Sequence, residues 1–211
     1  MAKTGTIVID PGHGGQLEVG GSSANNARSP SGVLEKNMTL RMAFLVRQEL
    51  QGLESDEGHK LNIILTRETD VNLGLDKRAN VARDNNADLF LCIHFNASDN
   101  HRARGVETLV RPAASGNTNH SADTVFSQQI QIAVYNAILG HDAKTRDRGV
   151  KDQLLGVLKR SQLGPTVRAA YLEVEFIDVA EVDTLLNISP SAPQVRQDIA
   201  KAIARNLVDA L

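Results

Sequence analysis

Three side chains able to hold a divalent cation stand at the ends of separate regular segments. His13 follows the run Thr6–Asp10 inside Pro11-Gly12-His13-Gly14-Gly15, Glu35 opens a stretch of helical spacing, and His94 falls near the end of Asp88–Phe95. Two imidazoles and one carboxylate form a set that zinc accepts tetrahedrally, and catalytic zinc sites use three protein ligands and leave the fourth position to water. Such a water ionises near neutrality, so hydrolysis is the chemistry this set would supply. Gly12, Gly14 and Gly15 let the backbone turn sharply and let a bulky substrate approach closely. Each residue also has an ordinary use. A loop histidine commonly serves as hydrogen-bonded packing, as His59, His101, His120 and His141 are read here, and a glutamate in a first helical turn complements the helix dipole. A phosphate cradle would need the Gly-Lys-Ser/Thr ending and an immediate helix, and this glycine loop has neither.

The candidates converge only if the segments between them build a suitable frame. Thr6–Asp10 is a β-branched run closed by Pro-Gly and predicts a buried strand, after which Gln16–Gly32 is polar and rich in glycine and serine. Leu34, Met38, Leu40, Met42, Leu45, Val46 and Leu50 approximate the stripe of a helix. Lys60–Thr66 predicts a strand, Leu75–Asn86 a helix, and Asp88–Phe95 a strand buried on both faces. Beyond these, Gly105–Arg111 and Ala169–Ile177 read as strands, Val125–Leu139 and Gln194–Leu211 as helices, and Gly149–Leu158 fits neither pattern. Alternating strands and helices predict an α/β three-layer sandwich: a mixed, mostly parallel twisted sheet flanked by helices on both faces, with functional groups at the carboxyl ends of strands. No internal repeat is evident, so residues 1–211 are read as one domain.

Composition narrows the partners. With 41% hydrophobic content in 211 residues, the chain can bury a core without disulfides. Lysine and arginine number 23 against 25 acids, a net charge of -2, so no basic excess argues for nucleic acid. Cys92 lies in Leu89-Phe90-Leu91-Cys92-Ile93, where a thiol packs as a small hydrophobe, and Ser22, Ser23 and Ser98 lie in polar loops. Covalent catalysis therefore has no good candidate. No stretch reaches the roughly 18 apolar residues that would span a bilayer, and Met1–Gly5 leads straight into a strand instead of a signal-peptide core. The expectation is a monomer with no membrane span and no export signal in this chain.

Ile7–Gly15, then Leu34-Glu35-Lys36-Asn37, then Ala87–Ala97 with His94-Phe95-Asn96-Ala97 together resemble the zinc-dependent N-acetylmuramoyl-L-alanine amidases. The resemblance continues in order through Leu65-Thr66-Arg67, Gly105-Val106-Glu107-Thr108, Arg148-Gly149-Val150-Lys151 and Leu172–Ile177, nearly the whole chain. It implies that His13, Glu35 and His94 bind Zn2+ and that Glu173 is the general base. It also implies action on peptidoglycan or muropeptides at the bacterial cell wall, in the periplasm or outside the cell, on the amide between N-acetylmuramic acid and L-alanine. Strand alternation by itself puts Glu173 and Glu175 on one face, roughly 6 to 7 Å apart, and does not choose between them. Glu175 departs from the family pattern, which usually has a small residue there, and a second carboxylate would raise its neighbour's pKa. Pro112–Thr124 is too short and polar for the helix some relatives lay across their site, which predicts an open cleft, and no appended wall-binding module is expected. Two rival readings use the same residues: a zinc peptidase acting on wall stem peptides, and a non-catalytic module that binds wall fragments.

Overall fold

A computed structural model describes residues 1–211. Its strands are β1 (Thr4–Pro11), β2 (Lys60–Leu65), β3 (Leu89–Asn96), β4 (Val106–Val110), β5 (Asp147–Asp152) and β6 (Arg168–Phe176). The helices are α1 (Glu35–Glu57), α2 (Leu75–Asp84), α3 (His120–Leu139), α4 (Arg160–Leu163), α5 (Ala180–Asp183) and α6 (Ala192–Ala210). One six-stranded sheet has the order β2-β1-β3-β6-β4-β5. β2, β1, β3 and β6 run parallel, β4 pairs antiparallel with β6, and β5 runs parallel to β4. This is the mixed, mostly parallel three-layer sandwich that the alternation of elements predicts.

The two outer layers are unequal. On one side α1, α3 and α6 cover a cluster of 33 buried residues; on the other, α2 and the single-turn α4 cover only 11. β3 supplies both, with Leu89, Leu91, Ile93 and Phe95 facing the thick layer and Phe90 and Cys92 the thin one. On the thin side, each central strand replaces its next inward apolar residue by a polar one. Val8 is followed at i+2 by Asp10, Cys92 by His94, and Tyr171 by Glu173. The thin layer ends before these carboxyl ends, so the polar residues line an opening instead of a core.

The boundaries differ from the sequence reading in three places. α3 begins at His120, not Val125, because Asp123 in its first turn is buried, where it accepts hydrogen bonds from Arg160 Nη2 (2.6 Å), Asn117 Nδ2 (2.9 Å) and the Ala169 amide (2.9 Å). The unassigned Gly149–Leu158 overlaps an edge strand, β5, whose sequence Asp-Arg-Gly-Val-Lys-Asp has no apolar alternation because it pairs on one side only. β6 carries one extra residue against β3: His94 faces Glu173, yet Asn96 faces Phe176. That bulge interrupts the strict alternation on which the Glu173/Glu175 comparison relied.

The turn after β1 is fixed from below by two arginines. Arg78, 1% exposed on the buried face of α2, pairs with Asp10 Oδ1 at 2.8 Å and donates to the carbonyls of Pro11 (2.8 Å) and His13 (2.7 Å). Arg67 donates to the carbonyls of Pro11 (2.9 Å), Gly12 (2.8 Å) and Lys36 (2.8 Å). Burial acts to raise the Asp10 pKa, but the Arg78 charge and hydrogen bonds from Cys92, Thr66 and Arg78 outweigh it and hold the carboxyl below its ordinary 3.8.

Asp10→Asn leaves the Arg78 guanidinium buried without its counter-charge, and we expect it to cost about 3–5 kcal/mol in urea unfolding at neutral pH. Because the folded-state pKa is depressed, this contribution is fully present above 3.8 and is lost as pH falls through the lower folded value. The gap between wild type and variant should therefore close only below pH 3.8. A neutral-pH difference under about 1 kcal/mol, the size of a surface pair, would contradict the assignment.

Candidate metal and catalytic centre

His13, Glu35 and His94 meet although 81 positions separate the first from the last (94 − 13). One donor atom from each lies within 4.8 Å of the others, and all three residues are buried. His13 occupies the left-handed region at φ 61°, a conformation that costs energy for a residue with a Cβ and that the arginine-held turn enforces. Gly12 is needed beside it, because a Cβ there would sit 2.1 Å from the His94 ring. Gly14, at φ 135°, would drive a Cβ to 2.0 Å from the Val71 carbonyl. Lys36 fastens the far end of the loop, donating to the Gly15 carbonyl at 2.7 Å and pairing with Asp70 at 2.8 Å.

Glu35 begins α1 with 1% exposure, and its two oxygens face both imidazoles: Oε2 lies 3.1 Å from His13 Nε2 and Oε1 lies 2.9 Å from His94 Nδ1. The backbone amides of Ala27 (3.0 Å) and Phe95 (3.1 Å) donate to the same oxygens and set the carboxylate plane. Burial pushes the Glu35 pKa up, but hydrogen bonds from His13 and His94 and their charges bring it down to about 2. Burial lowers the His94 pKa and outweighs the opposing pull of Glu35, which favours the neutral imidazole a metal requires. His13 Nδ1 lies 3.0 Å from both the Ser23 carbonyl and the Ser23 hydroxyl, so the ring proton has two places to sit: on Nε2, donated to Glu35, or on Nδ1, donated to the carbonyl. With the proton on Nδ1, the Nε2 lone pair points at the Glu35 carboxylate. Two acceptors then face each other across 3.1 Å, an arrangement that a cation between them resolves, and nitrogen and carboxylate donors suit zinc.

Glu173 lies opposite His94 in the β3–β6 register, and both line one cavity of about 250 Å³ with His13, Glu35 and Tyr171. Its Oε2 is sealed from solvent and has no hydrogen-bond partner. Burial, and after it the charges of Glu35 and Glu107, raise its pKa well above the usual carboxylate range. Tyr171 stacks on the His94 ring at 4.3 Å and an interplanar angle of 14°, while the His13 ring meets His94 edge-on at 4.7 Å.

Glu175 does not reach this cavity. It is fully buried, accepts hydrogen bonds from the Gly105 amide, the Thr145 hydroxyl (2.8 Å) and the Phe176 amide (3.1 Å), and ties β6 to the loops before β4 and β5. Glu175 is thus held apart from Glu173 by its own hydrogen bonds, and the like charges acting on Glu173 come from Glu35 and Glu107. His59, His101, His120 and His141 each pair with a carboxylate away from the cavity, and Cys92 donates to Asp10 at 3.0 Å. The sequence reading missed Arg78 and Arg67 as supports of the His13 turn. The available signal was the spacing Leu75, Arg78, Ala79, Ala82, which puts a charge on the apolar face of a helix.

Residues 7–205 match the family described as N-acetylmuramoyl-L-alanine amidase. The chain is 29% identical to N-acetylmuramoyl-L-alanine amidase CwlM of Bacillus licheniformis, over 94% of this chain and 67% of that protein. It is 33% identical to N-acetylmuramoyl-L-alanine amidase LytC of Bacillus subtilis, over 75% of this chain and 27% of that protein, so it spans about a quarter of the relative's length. Among solved structures, the catalytic domain of CwlV, an N-acetylmuramoyl-L-alanine amidase from Bacillus (Paenibacillus) polymyxa var. colistinus, superposes with a TM-score of 0.74 at 26% identity, covering 97% of both chains.

Metal analysis tests the three-residue set. The purified chain should bind one zinc ion, His94→Ala should lose it, and His141→Ala, whose ring pairs with Asp198 at 3.0 Å outside the cavity, should keep it. Equal zinc content in the two variants would overturn the assignment.

Proposed function

Because the chain belongs to the N-acetylmuramoyl-L-alanine amidase family, we propose that it hydrolyses the amide between N-acetylmuramic acid and L-alanine in peptidoglycan, with Zn2+ held by His13, Glu35 and His94. The observation that carries this reading is the meeting of a His-Glu-His donor set with a partnerless Glu173 oxygen in one cavity. Zinc in such a set supplies Lewis-acid polarisation of a carbonyl and lowers the pKa of a water to near neutrality. The protein's own groups do the rest.

Glu35 enters as a carboxylate at any pH above about 2, so it offers a full negative charge to the cation throughout the neutral range. The Ser23 carbonyl can accept the His13 proton at Nδ1 and so leave the other ring nitrogen free to ligate, and Tyr171 limits rotation of the His94 ring. Glu173 is the general base. Its carboxylate lines the cavity and Oε2 has no donor in the protein, so the group is available to take a proton from the attacking water and return it to the departing L-alanine nitrogen. A raised pKa suits a group that must accept and then release that proton, and a bound dication beside it would lower the pKa again. The hydroxyls and thiol that line the cavity are engaged elsewhere: Ser22 donates to Asn72, the Ser23 hydroxyl lies 3.0 Å from Nδ1 of the proposed ligand His13, and Cys92 donates to Asp10, its thiol pKa pushed up by burial and by that carboxylate. No helix is long and apolar enough to cross a membrane, and the proposed place of action is the cell wall, with the chain working as a monomer.

Glu173→Gln preserves shape and removes the base, so zinc should remain while turnover of purified muropeptides, read by product mass, falls roughly a hundred- to ten-thousandfold. Glu175→Gln should instead lower stability by about 1–3 kcal/mol, the cost of disturbing a buried hydrogen-bonded group, and keep most activity below its unfolding temperature. A Glu173 variant that still turns over, beside a Glu175 variant that is folded, zinc-loaded and dead, would reverse the two roles. Cleavage of stem peptides lacking the sugar, with intact muropeptides untouched, would replace the amidase reading by a peptidase one.

A further inference from the structure

Beside the catalytic cavity the same edge of the sheet opens into a second and larger cleft, of about 720 Å³, whose charge is unlike the rest of the molecule. Its walls are the loops that lead into β4 and β5, His101–Arg104 and Ala143–Arg148, and they bring five cationic side chains against the one acid, Glu181. The whole chain carries a net charge of -2, so this concentration is local. Two of the five are committed: Arg104 pairs with Asp142, and Arg148 Nε pairs with Glu107 at 2.6 Å. Arg102, Lys144 and Arg146 are exposed and enter no ion pair or side-chain hydrogen bond. Arg104 is nine-tenths buried, and its Nε has no hydrogen-bond partner, the nearest carboxylate oxygen, on Glu175, being 3.7 Å away.

Topology relates this cleft to the catalytic cavity. β4 runs antiparallel to β6, and β5 follows β4, so the amino ends of β4 and β5 lie at the same sheet edge as the carboxyl ends of β1, β3 and β6. Glu107 marks the junction, since it faces Glu173 in the β4–β6 register and holds Arg148 and Lys151 on its other side. From β6 to β5 is two strand spacings, roughly 10 Å. An extended peptide covers that distance in about three residues. A substrate whose amide lies against Glu173 therefore has its peptide arm within reach of the basic walls.

We propose that this cleft binds carboxylates of the substrate's peptide arm, with Arg102, Lys144 and Arg146 as the exposed, uncommitted cations that meet them. The inference rests on the amidase reading above. Guanidinium forks pair with carboxylates in bidentate geometry, and loop-borne side chains can follow an arm of variable composition. Such pairs are individually modest and screened by salt.

The test is calorimetric titration of the full zinc-loaded chain with a synthetic stem pentapeptide bearing free carboxylates and with its fully amidated twin. The acid should bind roughly tenfold tighter than the amide at low ionic strength, an advantage that Lys144→Gln combined with Arg146→Gln reduces to near unity. Equal binding of acid and amide by the wild type, an unchanged preference in the double variant, or preference for a glycerol-phosphate oligomer over the peptide would each overturn it. The two readings fail separately: muropeptide cleavage without a carboxylate preference would retain the amidase and remove the cleft. Carboxylate-dependent binding without cleavage would do the reverse.

Discussion

Glu35 places an ionised carboxylate where water hardly reaches, and much of the surrounding structure compensates for it. Desolvating such a group costs several kcal/mol, which only well-aimed partners repay. Here two backbone amides fix the carboxylate plane and two imidazoles supply the remaining neighbours. The imidazoles come from β1 and β3, so the carboxylate at the start of α1 can be satisfied only when both strands are in register and the Pro11–Gly15 turn has closed. A metal held by this set would be coupled to folding through this one group. The second buried charge cluster, Asp10 with Arg78 and Arg67, sits directly beneath and holds the same turn by its carbonyls.

The uneven layers explain why chemistry gathers at one end of one face. A thick layer of three long helices makes most of the core, and the thin layer leaves the carboxyl ends of β1, β3 and β6 uncovered. The polar substitutions Asp10, His94 and Glu173 fall where each strand leaves that cover. Reversal of β4 and β5 then brings the loops that line the basic cleft to the same end of the sheet as the catalytic cavity, with Glu107 and its cations between β6 and β5.

Much of this was legible in the sequence because it follows from local pattern. Thr6–Asp10 before Pro-Gly, the doubly buried Leu89–Phe95 and the helical stripe from Leu34 fixed the three elements that deliver His13, His94 and Glu35. Glu173 and Glu175 could not be separated by alternation, and the structural reason is the bulge between them and the tie from Glu175 to Gly105 and Thr145, both long-range features. Arg78 was hidden because a lone arginine on a helix reads as solvated until its partner, 68 positions away, is known. The start of α3 was missed for the same kind of reason, since Asp123 is a polar residue whose partners, Arg160 and Ala169, lie on other elements. β5 has too few apolar residues to announce a strand at all.

One zinc ion held by the side chains that meet at Glu35 has a distinct signature in X-ray absorption at the zinc edge of the stoichiometrically loaded full chain. The expected coordination is sulfur-free, with two imidazole nitrogens and carboxylate and water oxygens at about 2.0–2.2 Å. A shell containing sulfur at about 2.3 Å, or one with fewer than two imidazoles, would contradict it.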